Sequence, residues 1–347
     1  MKMKAAVLRK FQTPLVIEEL EIPRLKCGQV LVKVFFSGIC GAQLNHIAGV
    51  KTKKEFLPFL LGHEGSGEVV EIGDGVKSVR VDDKVVMHWR KGKGIESDFP
   101  KYLRGDGSTV GAGLITTFNE FAVVSENRVT TIPGNIPYNI APLLGCSVTT
   151  GLGLINNEAK LKIGQSITVI GVGGVGLNII QGAAMVSANP IIAVDRSIER
   201  LELAKKLGAT HTINSLKVNE WGADVFKLPT LTDVCVDTTG IVELIRIAYN
   251  ATKPGGKTIM VGQSRIDEFI LLDSSHAFND KVLMDCNGGL TIPEVDIARY
   301  LNLYLQGKLN LDDLISVKYT LEQINEALDA VRDLKFPGKC LVEMNHD

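Results

Sequence analysis

The sequence predicts an α/β chain in two parts, and three observations predict it. The first third breaks into short strands between glycine, proline and charged turns, an all-β texture. From about Ser166 apolar runs alternate with helical periods, the pattern of a parallel sheet with crossover helices. A glycine-rich turn joins the first of those apolar runs to the first of those helices.

The β-rich part is read as Lys4–Leu8, Leu15–Leu20, Val30–Phe36, Gly67–Ile72, Lys84–His88 and Phe121–Val124. The alternating part runs through Ile167–Ile170, Val175–Val186, Ile191–Asp195, Ser197–Leu207, Val234–Asp237, Val242–Ala251 and Lys257–Val261. Two amphipathic helices follow, near Glu294–Leu305 and Leu321–Asp333, and then a final strand, Lys339–Glu343. No internal repeat or low-complexity segment interrupts this order.

At 347 residues and 45% hydrophobic content the chain can bury two ordinary cores. Lysine plus arginine (38) nearly balances aspartate plus glutamate (39), so no net field draws in nucleic acid or an acidic membrane, and a small-molecule partner is expected. Six scattered cysteines, without the spacing of a secreted disulfide scaffold, and no recognisable cleavable signal point to a reducing cytoplasm. The stretch from Ile167 to Val194 is apolar, but its glycines, Asn178, Gln181, Asn189 and Pro190 fit a buried strand, turn and helix better than a membrane span.

Ile167–Ile170 runs into Gly171-Val172-Gly173-Gly174-Val175-Gly176, a G-x-G-x-x-G sequence between a strand and a helix. Gly171 suits the tight turn, Gly173 the approach of a pyrophosphate and Gly176 the contact of helix with strand, while the helix N-terminus offers free N–H groups. Asp195 ends the next strand, where an acid accepts hydrogen bonds from ribose hydroxyls and repels a 2′-phosphate, so NAD is favoured over NADP. Arg196 and Arg200 keep the phosphorylated cofactor open, since a guanidinium can offset that repulsion; Arg200 reads equally as a solvated helix charge. Thr238 and Val261 sit where further strands close toward a ligand.

Cys40 follows a strand within Gly38-Ile39-Cys40-Gly41, His63 and Glu64 open another strand region, and Cys146 lies just before the alternating part. One imidazole and two thiolates suit a tetrahedral zinc ion with an open fourth position. Taken singly, each has a plain alternative: a small buried cysteine, a satisfied core histidine, an exposed acid.

Together these motifs resemble the zinc-dependent alcohol dehydrogenases of the medium-chain dehydrogenase/reductase superfamily. The resemblance covers nearly the whole chain. It is carried by Gly38-Ile39-Cys40-Gly41, Gly62-His63-Glu64-Gly65-Ser66-Gly67-Glu68-Val69-Val70, Asp82-Asp83-Lys84-Val85, Cys146 with Thr150-Gly151, the glycine loop and Pro254-Gly255-Gly256, in family order. It implies a GroES-like β domain over residues 1–147, rejoined by 286–347, and a Rossmann domain over 148–285. It implies that Cys40, His63 and Cys146 hold one catalytic zinc, that Glu64 can enter as a ligand, and that Gly174, Val175 and Lys339 join the cofactor contacts. Trp89 and Phe118 fall where the family lines its substrate pocket, or serve as core aromatics. The activity implied is hydride transfer between NAD(H) and an alcohol or carbonyl compound, in a homodimer or homotetramer.

Two departures from the family pattern stand out. Where a serine or threonine usually relays the alcohol proton the chain has Ala42, and the usual aspartate behind the histidine ligand is Gln43, which can accept a hydrogen bond but carries no charge. The proton then leaves by water, by Asn45 or His46, or by a hydroxyl of a polyol or sugar-derived substrate; His46 is the expected relay, with a plain surface histidine as its alternative. No cysteine lies between Arg90 and Glu120, so no structural zinc is expected there. Arg90-Lys91-Gly92-Lys93-Gly94 reads either as a solvated loop or as a phosphate- or carboxylate-recognising one. Two rival functions share the same motifs: a reductase of an activated C=C bond, and a non-catalytic NAD-binding protein.

Overall fold

The structure is a computed structural model and describes residues 1–50, 52–217, 231–273 and 279–346. The chain forms two compact units, Met1–Cys146 with Ile292–Asp347, and Ser147–Thr291. The chain returns to the first unit at Ile292 rather than at residue 286. Residues 287–289 stay with the second unit because the Asn287 N–H donates to Glu158 Oε1 (2.9 Å) and Asn157 Nδ2 to the Gly289 carbonyl (2.8 Å).

In the first unit the strands Lys2–Leu8, Val16–Glu21, Lys101–Leu103, Thr109–Gly111 and Phe59–Leu60 close a small barrel in that spatial order. Beside it a second sheet is ordered Val129–Thr131, Lys84–His88, Glu64–Ile72, Gln29–Gly38, Lys339–Glu343 and Ile315–Thr320, with Phe121–Ser125 also pairing Gln29–Gly38. The sequence reading missed the three-residue strands Lys101–Leu103 and Thr109–Gly111, which are too short to show alternation, and Ile315–Thr320. The barrel is filled by Met3, Ala5, Val7, Leu20, Leu31, Leu60, Tyr102 and Val110, and the Tyr102 hydroxyl accepts from the Val123 N–H at 2.8 Å.

The cysteine-free segment is tied down by polar groups. Arg104 makes a two-pronged bond to Glu18 (2.6 and 3.0 Å). The buried Glu126 carboxylate accepts from the N–H groups of Lys77, Ser78 and Ile95 at 2.7 to 2.8 Å. Lys91 and Arg128 both pair with Glu96, so the charge of Lys91 is engaged within the loop.

The second unit is a six-stranded parallel sheet ordered His211–Asn214, Ile191–Asp195, Ile167–Ile170, Thr232–Asp237, Thr252–Met260 and Val282–Asp285. Helices Gly174–Met185, Ile198–Lys206 and Val242–Ala251 make the connections, the second capped by the Ser197 hydroxyl accepting from the Arg200 N–H. Strand order reverses between Ile167–Ile170 and Thr232–Asp237, which lie side by side although two strands separate them in the chain. In such sheets ligands bind at the carboxyl ends of strands flanking that reversal, and the glycine turn leaves the sheet there. No helix among the described residues is long and apolar enough to cross a membrane.

Candidate metal centre and nucleotide loop

Three backbone devices bring the metal donors of the first unit together. The strand Gln29–Gly38 ends just before Ile39, and Cys40 caps the short helix Gly41–Ile47 in extended conformation. Gly62 turns the chain at φ +91°, and a Cβ there would lie 2.4 Å from Thr117 Oγ1 and 2.8 Å from the Thr117 and Phe118 nitrogens, so only glycine fits before His63. Gly145 passes so close to the next strands that a Cβ would meet the Met87 carbonyl oxygen at 2.5 Å, and this approach delivers Cys146.

The result is a cluster in which Sγ of Cys40, a ring nitrogen of His63 and Sγ of Cys146 all lie within 4.8 Å of one another. Nε2 of His63 and Oε2 of Glu64 are buried and make no hydrogen bond. Orphaned buried polar atoms of this kind call for a ligand, and two thiols with an imidazole are the donor set that a borderline-soft tetrahedral cation selects. The residues therefore fit a zinc ion.

Proton sharing in the cluster supports that fit. Hydrogen bonding with Cys146 holds the Cys40 thiol well below its ordinary value against the upward push of burial, and the same bond together with burial raises Cys146. Burial presses the His63 imidazole down, but the charge and hydrogen bond of Cys40 together with the charge of Glu64 outweigh this and raise it. The direction favours the thiolate form of Cys40, the form that binds metal.

Behind the donors, Glu64 is fully buried and ion-paired with Lys339, whose ammonium also donates to the Ile39 carbonyl (3.1 Å). Burial lowers the Lys339 pKa, but the charges of Glu64, Cys40 and Cys146 outweigh it and raise the group. Lys339 was expected among the cofactor contacts. In the structure, antiparallel pairing of Lys339–Glu343 with Gln29–Gly38 brings its side chain to Glu64. A lysine opening an otherwise apolar strand was the available signal that a buried acid had to meet it.

Phe118 is completely buried in the larger core of the first unit with Leu61, Met87, Ile115 and Ala122, as in the core-aromatic alternative. Trp89 packs against the edge of that core, and its carbonyl accepts from Arg128. His46 lies on the short helix with Nδ1 at 2.6 Å from Thr52 Oγ1. Gln43, almost fully buried, stands between Gly62 and His63: its Oε1 accepts from the Gly62 N–H at 3.0 Å and its Nε2 lies 2.5 Å from His63 Nδ1.

In the second unit the glycine turn has the expected form. Gly171 sits at φ +83° with the Thr238 hydroxyl donating to its carbonyl at 2.7 Å, and a Cβ on Gly176 would lie 2.2 Å from that same carbonyl oxygen. Gly173 faces open space, with only an Arg200 nitrogen 3.7 Å from where a Cβ would be. Gly174 and Val175 open the helix. The Asp195 carboxylate accepts from the Val172 N–H (2.8 Å) and the Ser197 N–H (2.9 Å), with the Arg200 guanidinium 4.0 Å away. Burial lowers the Arg200 pKa against the pull of Asp195, and Arg196 is exposed. Val261 is held by its N–H to the Asp237 carbonyl (2.7 Å). The Thr150 hydroxyl, left out of the expected site, is buried without a partner.

A nucleotide-type sheet on the same chain as a two-thiol, one-imidazole cluster defines a zinc-type, nicotinamide-linked oxidoreductase. The model of the alcohol dehydrogenase GroES-like domain matches residues 26–134, and that of the zinc-binding dehydrogenase matches residues 174–297. The chain is 32% identical over 365 residues to an NDMA-dependent alcohol dehydrogenase of Amycolatopsis methanolica, covering 96% of this chain and 97% of the relative. Among solved structures it is similar to benzyl alcohol dehydrogenase of Acinetobacter calcoaceticus (27% identity, TM-score 0.88). It is also similar to 2R,3R-butanediol dehydrogenase of Bacillus subtilis (27%, TM-score 0.79), each match covering 99% of this chain and all of the other. The chain belongs to the zinc-type alcohol dehydrogenase family of the medium-chain dehydrogenases/reductases, and is an enzyme of the alcohol-oxidising class.

Proposed function

We propose that this enzyme oxidises a secondary alcohol bearing a further hydroxyl, a polyol or sugar-derived compound, or reduces the matching carbonyl, with NAD(H) as the hydride partner. The observation that carries the reading is the convergence of Cys40, His63 and Cys146 within 4.8 Å around an unpartnered His63 Nε2.

Cys40, His63 through Nε2 and Cys146 would hold one zinc ion, which when bound supplies the Lewis acidity that polarises an alcohol or carbonyl oxygen. Glu64 stands by as an exchangeable fourth donor, kept in place by Lys339. The Gly173 backbone and the first N–H groups of the helix Gly174–Met185 take the pyrophosphate, while Asp195 accepts from the ribose hydroxyls. That carboxylate favours NAD over NADP.

Ala42 has no hydroxyl to pass the alcohol proton outward. His46 and Thr52, joined at 2.6 Å, or a second hydroxyl of the substrate, take over that transfer. The need for such a hydroxyl is what favours a polyol over a simple alcohol.

The segment between Arg90 and Glu120 offers no thiol, so the reading assigns one zinc per chain. Six scattered cysteines without the spacing of a disulfide scaffold favour a reducing cytoplasm, and the family likeness favours a homodimer or homotetramer.

The test joins zinc analysis of the purified chain to a panel of monohydric alcohols, diols, polyols and cinnamaldehyde, with NAD or NADP, followed at the reduced-nicotinamide band. One zinc and NAD-dependent oxidation that prefers diols or polyols are expected. Reduction of the cinnamaldehyde double bond, or cofactor binding with no turnover on any member, overturns the reading.

A further inference from the structure

Resting on the NAD reading, the far side of the parallel sheet carries a consequence for how the nicotinamide half of the cofactor is held. In that reading Asp195, closing Ile191–Asp195, takes the adenosine ribose, and the glycine turn after Ile167–Ile170 takes the pyrophosphate. Beyond the turn the sheet continues through Thr232–Asp237, Thr252–Met260 and Val282–Asp285. A dinucleotide laid across the strand ends therefore has its nicotinamide half on that side, toward residues 286–289, which leave the last strand.

Residues 286–289 are clamped within their own unit. Cys286 donates its N–H to the Met260 carbonyl at 2.8 Å, and its sulfur accepts from the Gly289 N–H at 3.4 Å. The Asn287 N–H donates to Glu158 Oε1 at 2.9 Å, and Asn157 Nδ2 donates to the Gly289 carbonyl at 2.8 Å. Two consecutive side chains reach one loop because Leu154–Ala159 is a π-helix, whose wider turn rotates successive residues less than an α-helix does. A Cβ on Gly289, at φ +65°, would lie 2.7 Å from the Thr150 carbonyl oxygen, so the loop meets the helix Ser147–Gly153 backbone to backbone. The Thr150 hydroxyl on that helix is buried without a partner, a group that a polar ligand arriving there would satisfy.

Glu158 is the energetically costly member of the clamp. It is 4% exposed, its Oε2 makes no hydrogen bond, and no cation pairs with the carboxylate among the described residues. The Lys257 ammonium is engaged instead by the Glu158 and Ala159 carbonyls, at 3.3 and 2.9 Å. Burial and the carboxylate beside it push the Cys286 thiol up, so that thiol keeps its proton. A buried acid with so few partners is unfavourable, and the bond that offsets it is a charge-assisted one from the loop backbone.

We propose that Glu158 is a positioning residue for the nicotinamide half of the cofactor: through the Asn287 N–H its carboxylate holds residues 286–289 in the conformation that receives the nicotinamide. It acts through the loop backbone and not on the reacting atoms.

The experiment measures binding of NADH by its fluorescence, and of ADP-ribose, which lacks the nicotinamide, by calorimetry, to wild type, Glu158→Ala and Glu158→Gln. Glu158→Ala should weaken NADH about tenfold or more, because the loop loses the bond that keeps it competent, and should leave ADP-ribose within about twofold of wild type. Glu158→Gln retains an acceptor for the Asn287 N–H and should recover most of the NADH affinity. In wild type alone, NADH should slow hydrogen exchange at the amides of residues 286–289 and ADP-ribose should not. The positioning role is overturned if Glu158→Ala binds NADH within about twofold of wild type, weakens both ligands equally, or is no weaker than Glu158→Gln. It is overturned as well if NADH leaves exchange at residues 286–289 unchanged or ADP-ribose slows it as much, a measurement that stands even if no variant folds. Wild type that binds neither ligand overturns the cofactor reading itself, and the positioning role with it.

Discussion

Replacing Lys339 by methionine isolates the most exacting electrostatic arrangement in the first unit. The lysine side chain is 5% exposed and its partner Glu64 is 0% exposed, so solvent cannot screen the pair or replace either member. Methionine keeps most of the stem and removes the charge, leaving a buried carboxylate whose Oε2 already lacks a partner. Removing one member of a buried pair costs about 3–5 kcal/mol, because the survivor stays desolvated. The Ile39 carbonyl also loses a donor, adding about 1 kcal/mol. Chelator-treated Lys339→Met is therefore expected to lose roughly 4–6 kcal/mol in urea unfolding followed by a probe in the first unit. The double variant Lys339→Met with Glu64→Met should recover about half or more of that loss, since an apolar pair replaces an uncompensated charge. A loss under about 1 kcal/mol for the single variant, or a double variant no more stable than the single, refutes the reasoning.

Three further outcomes follow from the same geometry. Phe118→Ala should cost about 3–5 kcal/mol of stability by opening a cavity, while the ranking of alcohol substrates stays as in wild type; a changed ranking in steady-state assays would return Phe118 to the substrate pocket. Glu126→Gln should cost about 1.5–3 kcal/mol near neutral pH by setting an amide donor against a backbone N–H. Burial pushes the Glu126 carboxyl up, but the N–H groups of Lys77, Ile95 and Ser78 outweigh it and hold the pKa below the usual range. Its contribution is thus present above the ordinary carboxylate value and lost as pH falls through the lowered one, so wild type and variant should converge in acid unfolding curves. Asp195→Gly should reduce kcat/KM with NAD by about tenfold or more and narrow the preference over NADP, since it removes the ribose acceptor and leaves Arg200 uncompensated; an unchanged NAD/NADP ratio in initial-rate assays counts against the cofactor assignment.

Regular elements with strong local signals were legible in the chain. The strand and helix flanking Gly171–Gly176 stand where the apolar run and helical period put them, within a residue at each end. The short barrel strands were not legible, because three residues carry no period, and their stability comes from partners such as Glu18 and Tyr102 that are distant in sequence. The metal donors were legible as residue types in family order; the pairing of Lys339 with Glu64 was not.

Local chemistry decides what a segment is, and for this protein residue order alone determined the alternating sheet, the glycine turn, Asp195 at a strand end and the absence of thiols between Arg90 and Glu120. Tertiary structure decided which polar groups face each other: that Lys339 meets Glu64 across 275 residues, and that Gln43 spends its oxygen on Gly62 and offers its nitrogen to His63. The reason is that a hydrogen bond depends on orientation within a few tenths of an ångström, which strand register and a left-handed glycine set and residue type does not.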